Sequence, residues 1–96
     1  MYQISITKYS GNISDEGRFE VSSKEAFDEL MHRIDAKFSD SKIDWNSYMN
    51  HVSTGDCDVY EIDLEQRSDE GIWSMIEHHE FVKNKEIVSF LRNNVK

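Results

Sequence analysis

The sequence predicts a small α+β domain in which an antiparallel sheet of about four strands packs against two main helices. In two parts of the chain apolar residues alternate with polar ones, which is typical of half-buried β-strands. Each part is followed by apolar residues three or four positions apart, which is typical of an amphipathic helix. The layout is ββα–(α)–ββα, with the helices on one face of the sheet. A length of 96 residues suits one core, so residues 1–96 are expected to form a single domain.

The N-terminal part of the chain predicts a β-hairpin. Residues 2–8 alternate apolar and polar side chains and are rich in β-branched residues. Residues 10–17 combine serine, asparagine, aspartate and glycine, so they predict a turn or loop. Residues 18–21 then predict a short second strand that buries Phe19 and Val21.

An amphipathic helix is expected after the hairpin. Ser22 and Glu25 have the spacing of a capping box, in which a hydroxyl and a carboxylate satisfy free N–H groups at a helix start. The apolar residues that follow at helical spacing are Phe27, Leu30, Met31, Ile34 and Phe38. They predict one buried helix face over about four turns.

Residues 39–55 leave two interpretations open. The larger apolar residues of this stretch are Trp45, Tyr48, Met49 and Val52. Their spacing fits a short helix that Asp44 would cap. The alternative is a structured loop in which the aromatic side chains act as plugs. We favour the short helix.

The strand pattern returns after residue 58. Along this stretch Tyr60, Ile62 and Leu64 alternate with Glu61, Asp63 and Glu65. Side chains two residues apart on a strand share a face and lie about 7 Å apart. The strand is therefore predicted to display three carboxylates in a row on its solvent face.

The last part of the chain predicts a second hairpin and a C-terminal helix. Residues 66–71 have the composition of a turn. Residues 72–77 predict a return strand, with a helix as the alternative. Residues 84–94 carry apolar side chains at helical spacing and predict the final helix.

Negative charge is concentrated in one segment of the chain. The formal net charge is −8 at pH 7. Residues 56–80 contain nine acidic residues and one base, Arg67, whereas acids and bases balance in the rest of the chain. Such asymmetry indicates either recognition of a basic partner or a role in solubility.

The paired histidines in the acidic segment do not form a metal motif. His78 and His79 lie between Glu77 and Glu80. Neighbouring side chains point to opposite sides of a strand and lie well apart around a helix, so adjacent histidines rarely bind one ion together. We interpret these residues as polar positions at the boundary of an element.

The surroundings of Cys57 also argue against chemistry. Residues 56–58 resemble the opening of a calcium loop, but the later ligand and glycine positions are missing. Asp56 and Asp58 are expected to raise the pKa of the thiol, which disfavours a nucleophile. The four glycines are isolated, so no phosphate-binding loop is present. We therefore expect no catalytic residues, no metal and no cofactor.

Other features of the chain suit a cytoplasmic protein. Cys57 is the single cysteine and cannot form an internal disulfide. The N-terminus lacks the pattern of a signal peptide, and no apolar run is long enough to span a membrane. Direct nucleic-acid binding is disfavoured because the acidic segment outweighs the mildly basic C-terminal helix.

We expect the acidic segment to contain the partner-binding residues. The predicted residues are Glu61, Asp63, Glu65, Asp69, Glu70, Asp58 and Trp73. Carboxylates around an aromatic anchor suit recognition of a basic surface. The competing interpretation is a solvated face that keeps a small protein soluble.

In size, acidity and lack of catalytic groups, the chain resembles the bacterial immunity proteins that neutralise nuclease toxins. It is similar in character to phage-encoded inhibitors that mimic the charge of DNA. The resemblance implies a tight one-to-one complex in the cytoplasm, with the acidic face plugging a basic cleft of the partner. It also implies that Glu61, Asp63 and Glu65 contact lysine and arginine in charge-assisted pairs.

Two other functions stay open. One is a small scaffold or assembly subunit, a monomer or a weak homodimer that pairs through the strand or the C-terminal helix. The other is a small enzyme that uses His78 or His79 with a nearby carboxylate, which would need a deep cleft with convergent polar groups.

Overall fold

The computed structural model describes residues 1–95 and has an α+β fold built on a five-stranded antiparallel sheet. The strands are β1 (Tyr2–Tyr9), β2 (Ile13–Val21), β3 (Lys42–Ile43), β4 (Val59–Arg67) and β5 (Trp73–Val82). The helices are α1 (Lys24–Lys37), α2 (Trp45–Thr54) and α3 (Glu86–Asn94). The strand order is β2-β1-β4-β5-β3. The predicted class is confirmed, and the strand beyond the expected four is the two-residue β3 at the sheet edge.

The main core lies on one face of the sheet, which we call the core face. The buried strand residues on this face include Ile4, Ile6, Ile62, Leu64 and Phe81. Helices α1 and α3 cover it and contribute Phe27, Leu30, Met31, Ile34, Ile87 and Leu91. The predicted buried face of α1 is therefore confirmed, and so is the C-terminal helix. Each large apolar side chain buried here contributes about 2 kcal/mol, so this face accounts for most of the stability.

Strand β2 is longer than the sequence predicted. Residues 10–17 were expected to form a loop, but β2 begins at Ile13 and the turn is confined to residues 10–12. The acidic and glycine residues are accommodated by a bulge at Glu16, because Ile6 and Thr7 of β1 pair with Gly17 and Asp15. A bulge absorbs an extra residue without ending a strand, which is why the turn-like composition was misleading.

Helix α1 begins one residue later than the capping-box pattern predicted. Ser23, not Ser22, is the N-cap, and its hydroxyl accepts a hydrogen bond from the N–H of Ala26 at 3.1 Å. Either serine can supply the oxygen that a helix start needs. Ser23 does so because it holds the extended backbone conformation of an N-cap.

The short helix predicted in the middle of the chain is confirmed as α2. The carboxylate of Asp44 accepts a hydrogen bond from the N–H of Ser47 at 2.8 Å and so caps the helix start. Gly55 ends the helix in the left-handed conformation, with φ of 64°. This conformation favours glycine because it lacks a Cβ.

The position of α2 corrects the expectation that all helices cover one face. Its first residue, Trp45, lies against His78, with the two ring centroids 5.0 Å apart. His78 pairs with Asp63, and Asp63 points away from the core face because it alternates with Ile62 and Leu64. Helix α2 therefore packs on the opposite face of the sheet.

Strand β5 confirms the predicted return strand and extends well beyond it. The sequence placed residues 77–80 at the boundary of an element, but they lie inside the strand, which runs to Val82. Neighbouring residues on a strand face opposite sides, so the paired histidines of this segment belong to different faces of the sheet. None of the helices in residues 1–95 has the length and apolar character needed to cross a membrane.

Candidate protein-binding surface

Strand β4 places Glu61, Asp63 and Glu65 side by side on the face opposite the core; we call these residues the acidic row and this side of the sheet the row face. Opposite Glu61, Asp63 and Glu65, strand β1 presents Thr7, Ser5 and Gln3. The side-chain amide of Gln3 donates a hydrogen bond to the carboxylate of Glu65 at 2.9 Å. The predicted alternation of β4 is confirmed, since the residues between the carboxylates are buried in the core.

Strand β5 adds a fourth carboxylate and a histidine to the row face. Glu80 stands opposite Glu61, and His78 stands opposite Asp63. Only 4% of Glu80 is exposed, and its Oε2 lies 2.5 Å from Nδ1 of His78. Like charges directly opposite each other on neighbouring strands destabilise a sheet. This arrangement therefore opposes folding unless protons or cations neutralise it.

Helix α2 packs over part of the acidic row and covers it, and we refer to this helix as its roof. The ring of Trp45 lies 5.4 Å from that of Tyr48, and Tyr48 meets the ring of Tyr9 edge-on at 5.9 Å. Tyr48 is buried, whereas Trp45 is 44% exposed. The roof therefore removes water from one end of the row and leaves an aromatic side chain at the surface.

Two polar atoms under this roof lack hydrogen-bond partners. They are the hydroxyl of Tyr48 and Oδ1 of Asp63. Burial, followed by the nearby carboxylate of Glu61, raises the pKa of the Tyr48 hydroxyl, which stays protonated. A buried polar group without a partner costs about 1–3 kcal/mol. The row face thus holds unused hydrogen-bonding capacity next to unneutralised charge.

The electrostatics of the row centre on Asp63. Burial raises the pKa of Asp63 to about 8, and the carboxylates of Glu61, Glu65 and Glu80 add to the effect. A carboxyl group that is desolvated among other carboxylates holds its proton because a further negative charge would be repelled. Near neutral pH Asp63 therefore largely keeps its proton, which reduces the electrostatic repulsion among the carboxylates of the row.

No lysine or arginine compensates the row within the part of the chain that the structure describes. Across residues 1–95, none of the ion pairs within 4.0 Å involves Glu61, Asp63 or Glu65. His78, which stands opposite Asp63 on this face, pairs with Glu80, and Arg67 on the same face makes no ion pair with the row. The carboxylates of the row therefore have no lysine or arginine partner among the described residues.

The expectation that the row lies on a solvent face is wrong in one respect. Glu61, Asp63 and Glu65 are all half-buried. The reason is α2, which the sequence did not place on this side, together with the neighbouring strands that flank the central β4. The carboxylates are therefore more strongly desolvated than the carboxylates of an ordinary solvated strand.

The far end of the row face is open and partly apolar. Met75 stands opposite Glu65 and is 53% exposed, and the predicted anchor Trp73 stands opposite Arg67 and is half-buried. A bulge at Ile76 brings Met75 and Trp73 onto the row face, because without that extra residue they would face the core side. Exposed apolar side chains next to charge are typical of protein-binding surfaces.

The remaining predicted residues lie outside this cluster. Asp69 and Glu70 are exposed at the turn between β4 and β5, which extends the acidic surface beyond Met75. Asp58 precedes the opposite end of β4, about 30 Å from the turn along the strand. Asp58 pairs with Lys8 at 3.8 Å. The structure therefore places Glu61, Asp63, Glu65 and Trp73 on the row face, with Asp69 and Glu70 beyond one end of β4 and Asp58 beyond the other.

Four residues of the surface were not among the predicted binding residues: Trp45, Tyr48, His78 and Glu80. His78 and Glu80 sit two positions apart on a strand, which is a period-two signal, but the bulge at Ile76 breaks the alternation before them. Trp45 and Tyr48 were recognised as helical, but their sheet face depends on how α2 packs. His79 lies on the core face, where its ring is 6.0 Å from that of Phe27.

Comparison of the chain with protein-family models, with curated proteins and with solved structures finds no match. Its function is therefore argued from the geometry of the row face.

Proposed function

We propose that the chain is an acidic inhibitor of immunity or antitoxin type, which binds a basic protein through its row face and covers that partner's basic surface. A nuclease toxin is the partner class that suits this charge best, because such enzymes bind a polyanion through lysine and arginine. The partner would be met in the cytoplasm, and the complex requires no catalytic group on the chain.

The observation that carries this proposal is the packing of four partly or fully buried carboxylates on the row face, those of Glu61, Asp63, Glu65 and Glu80, which raises the pKa of Asp63 to about 8. Burial and three neighbouring carboxylates make the ionised form unfavourable in the free chain. A lysine or arginine from a partner would reverse this, because an opposite charge at short range favours the ionised form. The row is therefore better suited to a bound cation than to the free state.

The exposed apolar side chains of the row face support a protein partner over a small cation. Met75 is 53% exposed and Trp45 is 44% exposed, and both lie on the same face as the carboxylates. Apolar and aromatic anchors surrounded by charge are the usual composition of an energetic hot spot. Small cations gain nothing from such anchors, whereas a protein surface does.

The deciding experiment compares two variants in which three carboxylates are replaced by amides. In the row variant, Glu61→Gln, Asp63→Asn and Glu65→Gln remove the charges but keep the side-chain shapes. In the control variant, Glu86→Gln, Asp40→Asn and Glu29→Gln replace the same types of carboxylate at exposed positions on α3, in the segment before β3 and on α1. Lysine replacements are avoided, since they would bury new ammonium groups beneath α2.

The chain is first used to capture its partner from its own cells, and the affinity of the purified partner is then measured by calorimetry. Each charge-assisted contact is worth about 1.5–3 kcal/mol, so the row variant should bind about a hundredfold more weakly or worse. The control variant should change affinity by less than about fivefold, since exposed rim charges contribute little. Equal losses for the two variants, or a partner without a basic surface, would contradict the proposal.

A further inference from the structure

We propose that His51, Asp56 and Cys57 form a binding site for a single divalent ion of the zinc class, at the C-terminal end of α2. One ligand atom from each residue, an imidazole nitrogen, a carboxylate oxygen and a thiol sulfur, lies within 4.8 Å of the other two. These residues lie outside the acidic row, and this inference does not depend on the proposed function.

The end of α2 assembles the three side chains. Gly55 takes the left-handed conformation, and its N–H donates to the carbonyl of His51 at 2.8 Å, so the chain turns back over the last helical turn. This turn brings Oδ1 of Asp56 to 2.8 Å and Sγ of Cys57 to 3.4 Å from Nδ1 of His51. The hydroxyl of Thr54 donates to the same carboxylate at 2.9 Å and helps to orient it.

The distances are close to those of a tetrahedral zinc site. Zn–N, Zn–O and Zn–S bonds of about 2.0, 2.1 and 2.3 Å place sulfur and nitrogen about 3.5 Å apart, and nitrogen and oxygen about 3.4 Å apart. The sulfur–nitrogen separation of 3.4 Å already fits. The nitrogen–oxygen separation of 2.8 Å must widen slightly, which the exposed Asp56 side chain allows because 55% of its surface is free.

The ligand types select the class of ion. A set of one imidazole, one thiolate and one carboxylate suits zinc and its neighbours in the transition series, whereas magnesium and calcium prefer oxygen ligands alone. The C-terminal end of a helix carries partial negative charge, which favours a cation at this place. Three protein ligands leave a fourth position for water.

Binding must be accompanied by proton transfer. Without metal, Nδ1–H of His51 donates to Asp56, because a carboxylate can only accept. When the ion binds at Nδ1, the imidazole proton resides on Nε2 and the thiol proton of Cys57 is released to solvent, so a zinc–thiolate bond replaces the S–H bond. The affinity for the ion should therefore increase with pH.

Cobalt(II) is the spectroscopic probe for this site, and zinc is the competing ion. Wild-type protein titrated with cobalt should show a thiolate-to-cobalt charge-transfer band and the intense visible bands of tetrahedral coordination. Zinc should abolish both. Cys57→Ser should remove the charge-transfer band, and Cys57→Ser and His51→Gln should each weaken zinc binding at least tenfold. His32→Gln, which changes an exposed histidine on α1, is the matched control and should bind as the wild type does.

A second measurement needs no variant. Cys57 is the single cysteine, so its alkylation by iodoacetamide can be followed on the unaltered chain. Zinc should slow the alkylation at least tenfold, and calcium should not. Absence of the charge-transfer band, absence of protection, or Cys57→Ser that binds zinc as tightly as the wild type would each overturn the proposal. The last result would place the ion at another site, such as the pair of His78 and Glu80.

Discussion

The two faces of the sheet are formed by the same strands but differ in what they contain. On the core face, Ile62 and Leu64 of β4 are fully buried against α1 and α3. On the row face, Glu61, Asp63 and Glu65 of the same strand are half-buried beside other carboxylates, and α2 covers one end of the row. One face therefore stabilises the fold, and the other carries charges that oppose it.

This difference between the two faces supports the proposed function of the row face. Desolvated carboxylates without basic partners cost free energy, whereas apolar side chains of similar size at these positions would add to it. A face that is needed only for solubility can keep its charges fully exposed, as the turn residues Asp69 and Glu70 do. The half-buried row is better explained by a cation that arrives with a partner.

The largest effect should come from breaking the core face. Ile62→Ala removes a fully buried side chain from the central strand and should lower the free energy of unfolding by about 3 kcal/mol. Ile13→Ala is the matched control, because Ile13 is 68% exposed, and it should change stability by less than about 0.5 kcal/mol. Urea unfolding measures both. Similar losses for the two variants would show that the core is not where the structure places it.

A smaller effect of opposite sign should come from Asp63→Asn on the row face. The pKa of Asp63 is about 8 in the folded chain and about 3.9 in an unfolded one. Between these pH values the folded state holds one more proton, so this group makes stability fall as pH rises from about 4 to about 8.

Asparagine cannot ionise, so the variant should become more stable than the wild type as pH increases. At pH 9 we expect a gain of about 1–2 kcal/mol, a value reduced for the partial exposure of the side chain. Thermal unfolding at pH 5 and pH 9 measures the change. Asp40→Asn, at an exposed position, should show no such trend. A difference between Asp63→Asn and wild type that does not grow with pH would contradict the account of the row.

The smallest effect should come from Tyr48→Phe. The hydroxyl of Tyr48 is buried without a hydrogen-bond partner, so its removal should be neutral or should stabilise the fold by up to about 1 kcal/mol. The ring still packs against Trp45 and Tyr9. Chemical denaturation gives the value. A loss above about 1 kcal/mol would instead reveal a strong bond from this hydroxyl to Glu61.

The sequence was sufficient to predict the elements whose periodicity is regular. The spacing from Phe27 to Ile34 predicted α1, and the alternation from Tyr60 to Glu65 predicted β4 and the shared face of its carboxylates. Strand β2 was predicted too short because a bulge at Glu16 allows acidic and glycine residues inside a strand. A bulge is a feature of pairing, and periodicity within one strand does not reveal it.

The rest of the surface depends on contacts between elements distant in the chain. The bulge at Ile76 decides that Met75 and His78 share a face with the row. The packing of α2 decides that the row is desolvated, and nothing in the spacing of Trp45 and Tyr48 identifies the face that they cover. The turn at Gly55, which brings Cys57 back to His51, is likewise a matter of backbone conformation.

The central claim is that a positively charged group of a partner binds the row face. NMR titration of the Asp63 side-chain carboxyl carbon tests this claim most directly. In the free chain we expect a pKa of about 8. In the complex with the basic partner, a nearby lysine or arginine should lower this pKa to about 5 or below, since an opposite charge at short range favours the ionised carboxylate. A pKa near 4 in the free chain, or one that does not change on binding, would contradict the account.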